Sequence, residues 1–377
     1  MSTLSLYVTV DLIAILLMFI AQKKNKAFVE KNGESPKKWT IINPAYIFLI
    51  LSMIPLVLLI GFRDISVGID TNSYYSAFVR TINNILTASD KIWLSSGFII
   101  LCRLVGFFSN KYIFLNLVIG FFSVLLIYDS IWKNSKNPTL SLFIWLSTCL
   151  YYQNFNQSRQ MLAISIVFFS YKYILNNNLK MFLLCTLVSA SIHSSALIMI
   201  PFYFLSNLNI NKKNIFIYIV VAVLCILFFP LINKIILSTS YGGIYGLTGW
   251  YNAKESSGIV LIFRLLLLIS CLFLSTKTIN YYNSSDNKKL LNICIWCVIL
   301  QIITTRIYII GRITTYFYMA FILLIPNIHY HLKSKLKGIV FILIILLFSL
   351  YHFVYYKSVS VSSGYDDYSL YKEQYDY

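Results

Sequence analysis

Charged side chains are scarce in this chain, and acidic ones are scarcer than basic ones. Only 12% of its 377 residues are charged, whereas 58% are hydrophobic, and the mean hydropathy is +0.74. Such a composition leaves too little polar surface for a water-soluble domain. It excludes nucleotide-binding domains, zinc-finger arrays and secreted disulfide scaffolds, and it indicates a polytopic membrane protein.

Cysteine and histidine also lack the patterns that bind metals or form disulfides. The seven cysteines lie almost entirely within apolar runs, where a thiol behaves as a small buried hydrophobe. Cys294 and Cys297 form a C-x-x-C inside an apolar segment without a second ligand pair, so we interpret that spacing as chance. We expect neither a structural disulfide framework nor a metal ion or other cofactor.

The excess of positive charge is best explained by the membrane. Lysine and arginine number 31 against 13 acidic residues, which gives a formal charge of +18. In a soluble protein this charge would suggest nucleic acid. Here the lysines lie in short loops between apolar runs, as the positive-inside rule predicts. We therefore expect the lipid bilayer, and no nucleic acid, as a partner.

Apolar runs bounded by polar breaks predict an all-α fold with about 12 transmembrane helices. The first run has no preceding positive charge, so it is interpreted as an uncleaved span with its N-terminus outside. The predicted spans are residues 4–21, 43–61, 113–131, 139–153, 161–176, 180–192, 194–206, 215–233, 259–275, 290–305, 312–328 and 338–353.

Two features of this topology depend on charge. An unbroken helix over 181–205 would place Lys212 and Lys213 outside, so we interpret the run as a broken or re-entrant pair split at His193. The run 97–108 is too short to span and carries Arg103, which indicates a re-entrant or interfacial helix.

The same topology predicts one transmembrane domain and a tail. The transmembrane domain covers residues 1–353, with outer loops at 62–112 and 234–258, and a tyrosine-rich outer tail covers 354–377.

Arginine is distributed more unevenly than lysine. All seven arginines fall on the predicted outer side, where orientation by itself does not require them. A guanidinium is permanently charged and matches phosphate oxygens bidentately. The set favours an anionic, phosphorylated ligand, although snorkelling at helix ends is the alternative for each arginine.

The first outer loop combines charge, proton acceptors and aromatic rings. It contains Arg63, Asp64, Asp70, Tyr74 and Tyr75, together with two glycines, at 61 and 68, that permit tight turns. An ordinary solvated loop is the alternative interpretation.

A second polar group begins a predicted span at the outer face. Asn156, Arg159 and Gln160 lie where free N–H groups and the helix dipole favour anions. This group predicts a phosphate seat centred on Arg159.

Further candidates are more ambiguous. His193, at the predicted break, could act as a general base near neutral pH.

Arg306 and Arg312, with Tyr308 and Tyr316, could bind a second phosphate or shape an entrance, or simply anchor two helix ends. Tyrosine-rich segments at 241–251 and 365–377 suit sugar surfaces, but interfacial aromatic belts explain them equally well. Asp11, inside the first span, is interpreted as a structural hydrogen-bonding residue rather than a catalytic one.

These motifs, in this order, resemble the EpsG-like branch of Wzy-type polysaccharide repeat-unit polymerases. The matching patterns are R-D-x-x-x-G-x-D-x-x-x-Y from Arg63, N-x-x-R-Q-x-L-A from Asn156, and H-x-S-A from His193 with a following proline at Pro201. Members often carry a glutamate just before the Gly-Phe pair of the short helix. Here Ser95 and Ser96 precede Gly97. If that carboxylate is catalytic in relatives, this chain must do without it or use Asp64 or Asp70.

The resemblance implies a membrane glycosyltransferase with a GT-C-like fold. It would transfer a growing glycan from undecaprenyl diphosphate to another lipid-linked repeat, at the outer face of the bacterial cytoplasmic membrane. A chain-length regulator and a flippase of the same pathway would be its protein partners. We assign Arg159 first, and Arg63 or Arg312 second, to the diphosphate, and His193 or Asp70 to the acceptor proton.

The main alternative is a flippase for the same lipid-linked oligosaccharide. Twelve spans and a basic cavity would suit a transporter equally well. A transporter should, however, place ionisable groups near the midplane and show repeated halves. Here the polar residues gather at one face, and the sequence shows no convincing internal repeat.

Overall fold

A computed structural model describes residues 2–33, 43–228, 258–276, 285–304 and 309–371, together with residues 230, 231 and 234. Every regular element within these ranges is helical, and extended pairing there is confined to a single bridge between Arg63 and Leu370. The all-α prediction is confirmed for this part of the chain.

The helices follow the apolar runs closely, and each predicted span overlaps one of them. Short 3₁₀ helices cover Tyr152–Phe155 and Ser194–Ile198. The α-helices are α1 (Thr3–Asn32), α2 (Ala45–Gly61), α3 (Thr71–Ile82), α4 (Ala88–Trp93), α5 (Ser96–Phe108), α6 (Tyr112–Asn134), α7 (Pro138–Ser147), α8 (Ser158–Leu175), α9 (Leu179–Ile192), α10 (Met199–Leu205), α11 (Lys212–Leu227), α12 (Gly258–Thr276), α13 (Ser285–Thr304), α14 (Ile309–Tyr330) and α15 (Ser334–Ser363).

Several of these helices can cross a bilayer. In the described residues, α1, α6, α12, α13 and α15 are the five that are long and apolar enough by length and composition, and shorter apolar helices accompany them. The protein is therefore a multi-pass membrane protein. The number of crossings, about 12, and the GT-C-like arrangement stay predictions.

The break at His193 and the separate short helix over 97–108, both expected from the distribution of charge, are present. Helix α9 ends at Ile192, and a 3₁₀ turn begins at Ser194, so the run 181–205 is broken at His193. Helix α5 is a separate helix of 13 residues. Phe107 and Phe108 at its end are 85% and 83% exposed, which suits an interfacial helix.

The chain forms two compact units. The first comprises Met1–Phe169, Leu184–Ser194 and Gly338–Tyr377, and the second comprises Ser170–Leu183 and Ser195–Lys337.

Buried hydrogen bonds join the helices of the first unit. Ser52 on α2 donates to the carbonyl of Ala14 on α1 at 2.8 Å. The hydroxyl of Tyr152 donates to Oδ2 of Asp11 at 2.8 Å, as the structural interpretation of Asp11 predicts. Such bonds satisfy polar groups that would be costly inside an apolar bundle.

In the second unit, a lysine side chain caps the C-terminal end of α8. Lys289 is 4% exposed, and its ammonium donates to the carbonyls of Ile174 and Leu175 at 2.9 Å each and to Oδ1 of Asn177 at 2.7 Å. A cation at a helix C-terminus satisfies carbonyls that lack intrahelical partners and interacts favourably with the dipole.

We therefore expect Lys289→Met to lower the free energy of unfolding by about 1–3 kcal/mol, because it leaves these carbonyls buried without donors. Thermal unfolding of the purified protein in detergent would measure the loss. Lys288→Met, at the half-buried neighbouring position, is the matched control. Equal melting temperatures for the two variants would contradict this role.

Candidate functional site

The first outer loop packs directly on the turn that precedes α8. Thr71 Oγ1 donates to the carbonyl of Phe155 at 2.9 Å, and the amide of Asp70 donates to Oδ1 of Asn156 at 2.9 Å. Gly68 has φ +92°, and a Cβ there would lie 2.0 Å from the Phe155 carbonyl oxygen. The first two sequence motifs therefore form one structure, and only glycine fits at their contact.

Arg63 lies inside this structure. It is fully buried, and its Nη1 donates to the carbonyl of Ile60 at 2.7 Å while Nη2 donates to Oγ of Ser158 at 2.9 Å. Its guanidinium also lies 5.7 Å from the ring of Phe155. Arg63 thus joins the end of α2 to the start of α8.

Arg159 occupies the first turn of α8, as the sequence predicts. Its guanidinium lies 5.2 Å from the ring of Trp93 and 5.8 Å from that of Phe98, and Nη1 donates to the Trp93 carbonyl. Among the described residues, nothing accepts a hydrogen bond from its buried Nε. Nε is one of the two donors on the side of the fork that binds oxyanions bidentately, and it has no acceptor in this part of the chain.

The aromatic residues next to Arg159, Trp93 and Phe98, lie on the short helices α4 and α5, and an ion pair joins α4 to α3. Arg80 on α3 donates two hydrogen bonds of 2.7 Å to Asp90 on α4, and Asp90 forms a capping box with Thr87. The guanidinium holds the pKa of Asp90 well below its usual range. Arg80 is thus a structural ion-pair partner of Asp90.

His193 lies near the same helices. A Cβ on Gly97, at the start of α5, would lie 2.3 Å from Oγ of Ser191 and 2.7 Å from its carbonyl oxygen, so the last turn of α9 packs closely on α5. Ile192 packs against the buried cluster that contains Phe98. His193 follows immediately and is half-buried. The third motif therefore approaches the helix whose Phe98 covers Arg159.

The two candidate carboxylates differ in exposure. Asp64 is 2% exposed, and its Oδ1 accepts hydrogen bonds from the amide and hydroxyl of Ser66 at 3.0 and 2.8 Å. Asp70 is half-buried at the N-cap position of α3. Of the two, Asp70 is the carboxylate that a ligand can approach.

The remaining predicted contact residues of the first unit are mostly buried. Tyr74 is 8% exposed and packs between the rings of Trp93 and Phe98, at 5.8 and 6.1 Å. Gln160 is 2% exposed. Tyr75 is half-buried, with its ring edge-on to that of Tyr112 at 5.6 Å. Tyr74 and Gln160 therefore lie behind the site rather than on its surface.

A C-terminal strap, residues 364–371, fastens the first outer loop. The amide of Asp64 donates to the carbonyl of Ser369, and that of Tyr371 donates to the carbonyl of Phe62, each at 2.9 Å. The amide of Gly68 donates to the carbonyl of Gly364 at 2.5 Å. Sequence reasoning missed this contact, because no local pattern marks two segments that pair across about 300 residues.

Tyrosines of the strap point into the protein. Tyr365 is 2% exposed, and its carbonyl accepts a hydrogen bond of 2.8 Å from the hydroxyl of Tyr7. The hydroxyl of Tyr368 donates to the carbonyl of Leu59 at 3.0 Å. These two tyrosines serve packing rather than sugar binding, which corrects that part of the expectation for the tail.

Candidates of the second unit are only partly described. Arg312 lies half-buried in the first turn of α14. Tyr316 is fully buried, and its hydroxyl lies 3.1 Å from Oγ of Ser195. Arg306, Tyr308 and the segment 241–251 lie outside the described residues.

No group of three or more His, Cys, Asp or Glu side chains that could hold a metal ion occurs in the ranges that the structure describes. Metal independence stays a prediction.

An all-helical, multi-pass membrane protein with an arginine site at a helix N-terminus is the class that this geometry defines. The chain belongs to the EpsG family, whose sequence model matches residues 46–372. Membership indicates a role in polysaccharide biosynthesis. No curated protein and no solved structure matches the chain.

Gly68→Ala should destabilise the protein by about 2 kcal/mol or more, because it combines an unfavourable φ with a Cβ that collides with the Phe155 carbonyl. Thermal unfolding would report the loss. Gly338→Ala is the control, since nothing lies within 4 Å of a Cβ there, and alanine favours the helix by up to about 1 kcal/mol.

Truncation after Ser363 should lower the melting temperature, because it removes several backbone hydrogen bonds, each contributing about 0.5–1.5 kcal/mol. Truncation after Tyr371 retains the strap and should unfold like the full chain. If both truncated proteins unfold at the wild-type temperature, the strap does not stabilise the loop.

Proposed function

We propose that the protein polymerises undecaprenyl-diphosphate-linked oligosaccharide repeat units into a surface polysaccharide: an O-antigen, a capsule or an exopolysaccharide. The reaction is glycosyl transfer with a diphosphate leaving group, at the outer face of the bacterial cytoplasmic membrane. The observation that carries the proposal is Arg159 at the start of α8, a buried cation whose Nε has no acceptor among the described residues.

Arg159 suits a diphosphate leaving group. Negative charge develops on the bridging oxygen as the sugar–phosphate bond breaks, and preorganised cations stabilise such charge. Arg159 is only 8% exposed, between two aromatic rings, so its attraction for an anion is screened less than it would be in water. The N-terminus of α8 adds the positive end of a helix dipole.

Arg63 takes a positioning role in this proposal. It is completely buried, and both of its terminal nitrogens donate to protein oxygens. It holds Ser158, the residue before Arg159, and so orients the first turn of α8. Arg159 is therefore the proposed diphosphate contact of the first unit.

The acceptor hydroxyl needs a base. His193 and Asp70 are both half-buried, whereas Asp64 is almost inaccessible. One of the first two removes the proton as the acceptor oxygen bonds to the anomeric carbon of the donor. The electron pair of the broken bond leaves with undecaprenyl diphosphate, so atoms and charge balance without a metal or another cofactor.

The membrane setting fits a lipid-linked substrate. The polyprenyl chains of donor and acceptor would lie in the bilayer that the apolar helices cross. Helix α1 carries Lys23, Lys24, Lys26 and Lys31 beyond its apolar part, and the positive-inside rule therefore supports a cytoplasmic position for that end. A flippase and a chain-length regulator would supply the substrate and control the product.

Arg159→Lys keeps the charge but loses the planar fork, so polymer formation should fall by roughly 100-fold or more. Purified protein would be incubated with lipid-linked repeats, and the products resolved as a ladder on a gel. Arg103→Lys is the matched control, because Arg103 is exposed on α5.

A full ladder from Arg159→Lys would refute the role of the fork. Cells lacking the protein provide a second test, since a polymerase defect leaves single repeats exported at the outer face. Unexported repeats on the inner leaflet would instead identify a flippase.

A further inference from the structure

Another arginine is buried in a membrane helix of the second unit. Arg264 lies in α12 (Gly258–Thr276), six residues after its start and so about 9 Å along its axis. Its side chain is 8% exposed. Charged residues inside membrane helices are costly and usually mark functional sites.

Three helices meet at Arg264. Its Nη1 donates to Gln301 near the end of α13 and, at 2.7 Å, to Oγ1 of Thr314 near the start of α14. Its guanidinium lies 4.6 Å from the ring of Tyr318. The Tyr318 hydroxyl is buried and has no hydrogen-bond partner among the described residues.

Within the described part of the second unit, none of these contacts gives Arg264 a counter-anion. In the described ranges of the second unit, the single acidic residue is Asp286. It lies at the opposite end of α13, about 22 Å along the helix from Gln301. The hydrogen bonds that Arg264 donates to described residues all come from Nη1, so Nε and Nη2 are left for another acceptor. A buried cation without an anion is strongly unfavourable, so an external anion would stabilise it.

We propose that Arg264, with Gln301 and Thr314, binds the diphosphate of a second lipid-linked substrate. The inference rests on the proposed polymerase function, in which donor and acceptor each carry a diphosphate. The Nε–Nη2 edge donates to the phosphate oxygens, while Nη1 is held by the two neutral side chains. Arg159 serves one lipid-linked substrate and Arg264 serves the other.

A purely structural role predicts a different behaviour. If Arg264 serves only to hold the helices together through its cation–π contact and neutral hydrogen bonds, a carboxylate introduced at position 301 would only stabilise the bundle. If Arg264 binds an external anion, that carboxylate also competes with the ligand. Gln301→Glu therefore separates the two roles without deleting the arginine.

The experiment measures equilibrium binding of undecaprenyl diphosphate to the purified full-length protein in detergent. Wild type should bind two molecules, and Arg159→Gln should retain one. Adding Gln301→Glu to Arg159→Gln should weaken the remaining site at least tenfold and raise the melting temperature. Arg103→Gln should leave both sites intact. Arg264→Gln should also remove one site.

Unchanged binding in the Gln301→Glu variant would overturn the proposal, whatever the polymerase assay shows. Loss of polymerase activity with both sites intact would instead count against the proposed reaction. Inorganic diphosphate, added as competitor, identifies the source of the ligand. Displacement assigns recognition to the diphosphate group itself, and lipid binding without displacement assigns it to the lipid-linked form.

Discussion

The buried guanidinium of Arg63 is the interaction on which the candidate site depends. It connects the carbonyl of Ile60 at the end of α2 with Ser158 at the start of α8, and it is fully removed from solvent. Both terminal nitrogens of this buried arginine donate to protein oxygens, so displacing it is costly, because each lost hydrogen bond leaves a charged donor without water. Its position therefore determines where Arg159, one residue after Ser158, lies.

Around this anchor the protein uses small and aromatic residues to bring distant segments together. Gly68 and Gly97 allow backbone contacts at distances where a Cβ would collide, and Trp93 covers the guanidinium of Arg159. The strap adds main-chain hydrogen bonds to the same loop. The result is a cation in apolar surroundings whose Nε has no acceptor among the described residues, which is suited to a phosphate group.

Arginine has different roles at different positions of this chain. Arg80 is neutralised by Asp90, and both terminal nitrogens of Arg63 donate to protein oxygens. Arg159 is buried with an Nε that has no acceptor among the described residues, and the hydrogen bonds of the buried Arg264 to described residues all come from Nη1. With 31 basic and 13 acidic residues, the protein cannot neutralise most of its cations internally. Anionic ligands and lipid headgroups are the natural partners for the remainder.

The amino-acid sequence by itself determined the helical class, the apolar segments, the break at His193 and the helix start at Arg159, because local hydropathy and helix-terminus chemistry are encoded in neighbouring residues. Tertiary structure alone decided which arginines and tyrosines remain available. Arg63 and Arg159 have the same side chain, and their different roles depend on Ile60, Ser158 and Trp93, which lie around them in space. The strap is a further case, since its pairing with the first outer loop depends on long-range contacts that no local pattern records.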